Sequence, residues 1–227
     1  KENFTSSFAG AVSLFVNDTT KESIFKKTTF IFGNTSTKKS LSKNYINLDL
    51  EKKVFQSTSK IYVETFLKYE KKISSDLIEV HNRPNYINQI KKNFTKNLVL
   101  FFHNDPLTMN GSKTVKERID LINKVNKIVF NSNWSRNRFF IELPNKEFLL
   151  QKTSVCYQSS SKVKIDFSKK EKTISFVGKL NRAKGYDLFG GAIIKILNKY
   201  PNWKAKVFGD EPREKLFFKH KNLNILG

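Results

Sequence analysis

The sequence contains little cysteine or methionine and has no long apolar run. Among its 227 residues there is one Cys and one Met. The single cysteine, Cys156, permits no internal disulfide, and its apolar neighbours predict a small buried side chain. Apolar stretches are short, such as Leu98 to Phe102, whereas a membrane-spanning helix needs about 18 or more consecutive apolar residues. The sequence therefore predicts neither a disulfide nor a membrane-spanning helix.

The N-terminal residues do not resemble a secretory signal. Lys1 to Ser7 lack both an initiator Met and the apolar core of such a signal, so we expect a cytoplasmic chain, or a piece whose beginning was removed. The composition, 38% hydrophobic and 27% charged, is that of a soluble globular protein with one large domain or two small ones.

Positive charge is in large excess. There are 42 Lys and Arg against 20 Asp and Glu, a net charge of +22, which ordinarily points to nucleic acid or an anionic membrane. However, 36 of the basic residues are Lys and they accompany 23 Asn and 21 Phe, a mixture typical of AT-rich coding sequences. The sequence shows no basic tail or arm. A diffuse Lys excess still favours a nucleotide diphosphate or a membrane surface as partner.

Short apolar runs alternate with helical periodicity, which predicts an α/β protein with mainly parallel sheets. The first series of predicted strands is Thr28 to Phe32, Ile46 to Leu50, Leu77 to Val80, Leu98 to Phe102, Ile128 to Phe130 and Thr153 to Tyr157. The predicted helices between them are Phe8 to Phe15, Ile61 to Tyr69, Asn85 to Lys92, Val115 to Lys124 and Trp134 to Glu142.

The polar segment 158–172 predicts a linker between two domains, 1–157 and 173–227. The second domain begins a new series of strands at Thr173 to Val177, Lys204 to Phe208 and Leu223 to Leu226. A helix that Pro201 stops lies between the first two of these strands,. With three strands and two crossovers, this second sheet corresponds to the first half of a nucleotide-binding sheet.

Residues that directly follow parallel strands are the first candidates for a site, because ligands bind at the carboxyl ends of such strands. His103, Asn104 and Asp105 follow the apolar run Leu98 to Phe102. There an imidazole could hydrogen-bond a ligand or move a proton. The alternative is a histidine that caps the next turn.

A second candidate segment follows the strand that ends at Val177. Gly178 lets the backbone approach a ligand closely, and the next helix offers free N–H groups to an anion. Lys179, Arg182 and Lys184 add cations there, and such a cluster would stabilise a diphosphate leaving group. The alternative is a solvated basic loop in a Lys-rich protein.

Four segments resemble, in order and spacing, those of family-4 glycosyltransferases. Residues 174–212, ISFVGKLNRAKGYDLFGGAIIKILNKYPNWKAKVFGDEP, are similar to the start of that family's C-terminal domain. DLIEVHNRP at 76–84, LVLFFHND at 98–105 and KIVFNSNWSRN at 127–137 resemble successive strand ends of its acceptor domain.

The resemblance implies a GT-B fold, in which two Rossmann-like domains face a cleft. It implies transfer of a sugar from a nucleotide-diphosphate donor to a glycan or lipid-linked acceptor, with retention of configuration and with no obligatory metal or other cofactor. Envelope polysaccharide or glycolipid synthesis in the cytoplasm, at the inner face of the membrane, is the process that the resemblance favours.

The resemblance also assigns roles in the second domain. Gly178 with Lys179, and Lys184 with Gly185, match the basic motifs that neutralise the donor diphosphate, and Arg182 lies between them. The loop that approaches the nucleotide matches a run of four residues, Gly209, Asp210, Glu211 and Pro212.

In the first domain, His103 matches the histidine that contacts the donor sugar near the reacting carbon. His81 falls where the family often has a histidine after the preceding strand, and a structural role is the favoured interpretation. Gly10 matches the glycine-rich loop after the family's first strand. With His81, Asn104 and Asp105, it is a candidate contact for sugar or acceptor.

The sequence also departs from the family. Lys179 replaces the usual Arg, which keeps the charge but loses the bidentate fork. The family's pair of glutamates belongs beyond Gly227, and its first strand belongs before Phe4, so we expect a truncated second domain. Two alternatives therefore stay open: a non-catalytic transferase-like subunit, and a basic protein that binds nucleic acid without a recognisable motif.

Overall fold

The structure is a computed structural model that describes residues 3–6, 9–35, 39–51, 55–160, 162–211, 214 and 216–226. The chain divides into two compact units, Lys1–Ser160 and Ser161–Gly227. No helix within these described ranges is long and apolar enough to cross a membrane.

The first unit alternates helices and strands. Its elements in chain order are α1 Ala11–Glu22, β1 Ile31–Gly33, β2 Tyr45–Asn47, α2 Thr58–Ile73, β3 Leu77–His81, α3 Ile87–Lys91, β4 Asn97–Phe102, α4 Val115–Lys124, β5 Lys127–Phe130, α5 Asn133–Phe140, α6 Lys146–Lys152 and β6 Thr153–Val155. Side-chain caps mark several helix starts: Ser57 accepts from Lys60 N at the start of α2, and Thr114 with Glu117 forms a capping box on α4,.

The main sheet of the first unit is parallel and has the strand order β3-β4-β5-β6. Its central strands are fully buried on one face, where Leu98, Leu100 and Ile128 have no exposed surface. The register places His81 of β3 beside Phe101 of β4. Parallel strands in this order bring their carboxyl ends to one edge, so the residues that follow β3, β4 and β5 become neighbours.

β1 and β2 form a parallel pair of their own within the described residues, rather than joining the main sheet as the single predicted series implied. Each has only three residues. The pair is held to α2 instead: the Tyr62 hydroxyl donates to the Phe32 carbonyl at 3.1 Å, and the rings of Phe32 and Phe66 lie 5.1 Å apart. The predicted strand Thr28 to Phe32 also begins too early, because the hydroxyls of Thr28 and Thr29 bind the Phe25 carbonyl in a turn.

Helix α1 runs much further than the predicted Phe8 to Phe15, and Phe8 itself lies outside the described residues. Apolar periodicity ends at Val16, but the helix continues through polar residues to Glu22. Asn17 is buried there, and the Thr19 hydroxyl donates back to the Phe15 carbonyl at 2.7 Å. Side-chain hydrogen bonds to the helix backbone therefore accompany the polar half of the helix.

Cys156 is exposed, so the prediction of a buried thiol was wrong. It lies just after β6, the edge strand of the sheet, and its backbone N–H donates to the Phe130 carbonyl at 2.8 Å. The apolar neighbours that suggested burial are themselves at the edge: Val155 is half-buried and Tyr157 is exposed.

The second unit has the parallel strand order β7-β8-β9. Its elements are β7 Thr173–Val177, α7 Tyr186–Lys199, β8 Lys204–Phe208 and β9 Leu223–Ile225. Ile193 and Leu197 of α7 pack on Ala205 of β8 to form its core. Both units are thus α/β with parallel strands, as the periodicity predicts.

Candidate active site

His103 is the first residue after β4 and is held on both sides by asparagines that follow the neighbouring strands. Its backbone N–H donates to Asn82 Oδ1 at 3.1 Å, and its carbonyl accepts from Asn131 Nδ2 at 2.8 Å. Asn82 has a left-handed backbone, with φ of 58°, which asparagine tolerates better than most residues. The first residues after β3, β4 and β5 therefore form one hydrogen-bonded row.

The imidazole of His103 is buried, with 9% of the residue exposed. Its Nε2 lies 3.0 Å from His81 Nδ1, and its Nδ1 lies 3.3 Å from Gln158 Nε2. Phe15 of α1 meets the ring edge-on, with the centroids 4.9 Å apart. Burial, and secondarily the charge of His81, lowers the pKa of His103 to about 4. The ring is therefore neutral near pH 7 and can both donate and accept a hydrogen bond.

The carboxylate of Asp105 stabilises the local structure after β4. It pairs with Arg138 at 3.1 Å and accepts from Leu107 N at 3.1 Å, which caps the following turn. Asn104 is exposed beside it. Gly10 precedes α1 with an ordinary extended backbone, φ of −86°, so it contributes to this region as the start of the helix that carries Phe15.

Sequence reasoning singled out His103 and His81, which the structure brings into contact, but it missed Asn82, Asn131 and Gln158 as their partners. The signal for the two asparagines was present, because each directly follows a strand, as His103 does. Gln158 could not be found in this way, since it lies three residues beyond β6 in a segment without regular structure.

In the second unit, two glycines lie in backbone contact at adjacent strand ends. Gly178 follows β7 and Gly209 follows β8, with φ of 155° and 147°. A Cβ on Gly209 would lie 1.9 Å from the Gly178 carbonyl oxygen. The stem of Lys184 is also close: a Cβ on Gly178 would lie 4.0 Å from Lys184 Cβ. The loop between β7 and α7 thus sits directly against the loop after β8.

Asn181 and two glutamates fix the shape of this loop. The Asn181 side chain accepts from Lys184 N at 3.1 Å and donates to buried Glu211 at 3.3 Å. Glu214 accepts from Arg182 N at 3.0 Å. Gly185, with φ of 73°, provides the left-handed residue at which α7 begins,. Glu211 therefore joins two loops.

Three cationic side chains project from this fixed loop. Lys179 and Lys184 are exposed, and so is Arg182, which lies 3.8 Å from Asp187 in the first turn of α7. Asp210 is exposed as well. Pro212, the last residue of the predicted nucleotide loop, lies outside the described residues.

No protein-family model matches the sequence, and no curated protein matches it. Solved structures do. Sucrose-phosphate synthase from Thermosynechococcus elongatus superposes with a TM-score of 0.64 at 12% identity, over 95% of this chain and 61% of that one. The chain has a GT-B fold.

A second GT-B neighbour is HepE from Anabaena, solved in complex with UDP-glucose, with a TM-score of 0.51 at 15% identity. The match covers 76% of this chain and 53% of HepE. The chain thus spans less than two thirds of either neighbour. At such identity the likeness is one of fold, and membership of family 4 stays a prediction.

Proposed function

We propose that this GT-B protein transfers a sugar from a nucleoside-diphosphate donor to a glycan or lipid-linked acceptor, with retention of configuration and without a metal. The observation that carries the proposal is a neutral, buried histidine at the carboxyl end of β4, fixed by its neighbours on both sides. HepE holds UDP-glucose, so a UDP-sugar is the first donor to test.

In this proposal, the cationic loop stabilises the diphosphate leaving group. When the bond between the sugar C1 and the diphosphate oxygen breaks, its electron pair leaves with the diphosphate, and negative charge grows there. Lys179, Arg182 and Lys184 lie on a loop of fixed shape at the start of α7, which suits them to neutralise that charge. The acceptor oxygen forms the new bond to C1, and its proton passes to the departing phosphate.

His103 acts on the sugar in this proposal. A neutral imidazole at the strand end can hydrogen-bond a sugar hydroxyl and hold C1 in place without adding charge. Replacing His103 by Ala should lower kcat for transfer at least tenfold, with little change in the affinity for UDP, which binds through the second unit. An unchanged kcat would remove His103 from the mechanism.

Binding of UDP tests the diphosphate assignment. Lys184→Ala should weaken UDP binding roughly tenfold, because a hydrogen bond to a charged group is lost. Lys195 lies exposed on α7, and Lys195→Ala is the matched control that lowers net charge equally. Equal affinities of the two variants, measured by calorimetry, would contradict the assignment.

We also propose that the first unit meets an anionic membrane surface. A hydrogen-bonded turn after α1 exposes Ile24 and Phe25, 89% and 65% respectively, beside Lys26 and Lys27. The Asn44 side chain donates to the carbonyls of Lys26 and Thr29 and so fixes the turn. Apolar side chains flanked by lysines suit an interface with anionic lipid.

Vesicle sedimentation tests this surface. Phosphatidylglycerol vesicles should bind the protein, and Ile24→Ser with Phe25→Ser should weaken that binding about tenfold. Val163 is equally exposed in the second unit, at 77%, and Val163→Ser is the control. A double variant that binds as the wild type does would place the contact elsewhere.

The two other functions predict different results. A non-catalytic subunit would bind UDP-sugar but turn over none of it with any acceptor. A nucleic-acid-binding protein would bind an oligonucleotide with a steep salt dependence and would not bind UDP.

A further inference from the structure

The position and ring plane of His103 are fixed before any ligand arrives. Its backbone is held by Asn82 and Asn131. Phe15 meets the ring edge-on, and the ring of His81 stacks on Phe101 with centroids 4.5 Å apart and planes inclined by 18°. The remaining freedom of the neutral ring is which of its nitrogens carries the proton.

Three side chains form a hydrogen-bonded row through that ring, and the Glu79 carboxylate lies at one end of the row. Gln158 Nε2 lies 3.3 Å from His103 Nδ1, and His103 Nε2 lies 3.0 Å from His81 Nδ1. His81 Nε2 in turn lies 3.5 Å from a Glu79 carboxylate oxygen. Each of the two hydrogen bonds needs one donor and one acceptor, so a charged group at one end can set the direction of both.

Glu79 is that end group, because an ionised carboxylate can only accept. The negative carboxylate favours a proton on His81 Nε2, 3.5 Å away, which leaves Nδ1 to accept from His103. His103 then carries its proton on Nε2, and its Nδ1 accepts from the Gln158 amide. With the opposite direction, an unprotonated His81 Nε2 would face the carboxylate.

We propose that Glu79 and His81 are positioning residues that fix His103 as the Nε2–H tautomer, with Nδ1 presented as a hydrogen-bond acceptor. Gln158, the partner of Nδ1, is exposed, so a ligand can take its place. The group that replaces it must donate, as a sugar hydroxyl does and a phosphate oxygen does not. This consequence for the ligand rests on the proposed glycosyl transfer. The assignment of the tautomer is independent of that proposal.

Nitrogen-15 NMR of the histidine rings tests the tautomer directly, in the free protein. The full chain has three histidines, and loss of signals in His103→Gln identifies His103. At about pH 8, above the ordinary histidine pKa of about 6.5, we expect Nε2–H for both His103 and His81. His220 is an internal reference, because its Nδ1 accepts from Asn222 N at 3.1 Å and so requires Nε2–H in every variant.

Glu79→Lys replaces the acceptor at the end of the row by a donor, because an ammonium can only donate. We expect His81 and His103 to shift to the Nδ1–H form in this variant, while His220 stays unchanged. Glu79 is half exposed, so the change is suited to a folded protein, and the backbone amide signals of the first unit report whether that unit is folded. An Nδ1–H His103 in the wild type, or a tautomer that Glu79→Lys leaves unchanged, would overturn the proposal.

Transfer of sugar is a separate readout. If His103 accepts from the donor sugar, Glu79→Lys should lower kcat roughly tenfold and leave UDP affinity unchanged. A reversed tautomer with normal kcat would support the role of Glu79 and count against the proposed contact between His103 and the sugar. An unaltered tautomer with normal kcat would count against the role of Glu79 and would not count against the contact between His103 and the sugar.

Discussion

The carbonyl oxygen of Gly178 occupies the space where a side chain on Gly209 would begin, at 1.9 Å from the Cβ position. The amide of Gly178 is tied to the same strand end, since it donates to the Phe208 carbonyl at 3.0 Å. The resemblance to family-4 glycosyltransferases implies a role in ligand binding for both glycines. The contact between them is a structural reason for a glycine at each position. Neither loop can take its observed shape unless the other does.

Gly209→Ala should therefore destabilise the second unit by about 3 kcal/mol or more, through the clash and an unfavourable φ. Gly191→Ala is the control, because nothing lies within 4 Å of its Cβ position on the exposed side of α7. That variant should instead stabilise the protein by about 0.5–1 kcal/mol. Urea unfolding with hydrogen exchange in residues 173–209 would measure both, and equal stabilities would contradict the contact.

Stability should depend on pH through His103. Its pKa of about 4 in the folded protein lies below the unfolded value of 6.5. Between these values the unfolded chain binds one more proton, so the free energy of unfolding rises with pH, by up to about 3 kcal/mol, and gains nothing further above about pH 6.5. His103→Gln should lose this increment, and His220→Asn should keep it. Urea titrations from pH 4.5 to 7.5 would decide.

Asp105 should matter for stability more than for ligand binding. Asp105→Ala removes both its ion pair with Arg138 and the cap at Leu107, and we expect a loss of about 1–2 kcal/mol. Arg138→Ala should cost less, and the double variant should show coupling of about 0.5–1 kcal/mol. An Asp105→Ala protein with wild-type stability but weakened acceptor binding would restore the role that its position suggests.

Asn131 should be necessary for the position of His103. Its side chain donates to the His103 carbonyl and accepts from the Ser135 hydroxyl at 2.8 Å. Asn131→Ala leaves that carbonyl without this donor, so we expect a loss of about 1–2 kcal/mol. Asn133, two residues on, is exposed, and Asn133→Ala should change stability by less than about 0.5 kcal/mol. Thermal unfolding compares the two.

Buried parallel strands could be predicted because both of their faces need apolar residues. Leu98 to Phe102 and Ile128 to Phe130 gave the positions of β4 and β5 to within a residue. The helix after Lys184 was found from its periodicity and from Pro201. Helix α6 was missed because seven residues are too few for a periodic pattern,.

The contact between His81 and His103 could not be predicted from the sequence. It depends on the register that sets His81 opposite Phe101, and a parallel register is decided by packing at distant positions. His103 then lies two residues further along the same face of the sheet. The separation of β1 and β2 from the main sheet has the same origin, since local pattern does not say which strands pair.

The exposed thiol of Cys156 makes the protein ready for spectroscopy. It is the single cysteine of the sequence, so a maleimide fluorophore attaches at one place without any engineering. One residue separates it from Gln158, whose amide would leave His103 when a ligand binds there. The emission of a label at Cys156 would then change when a sugar binds, so fluorescence titration could compare candidate sugars.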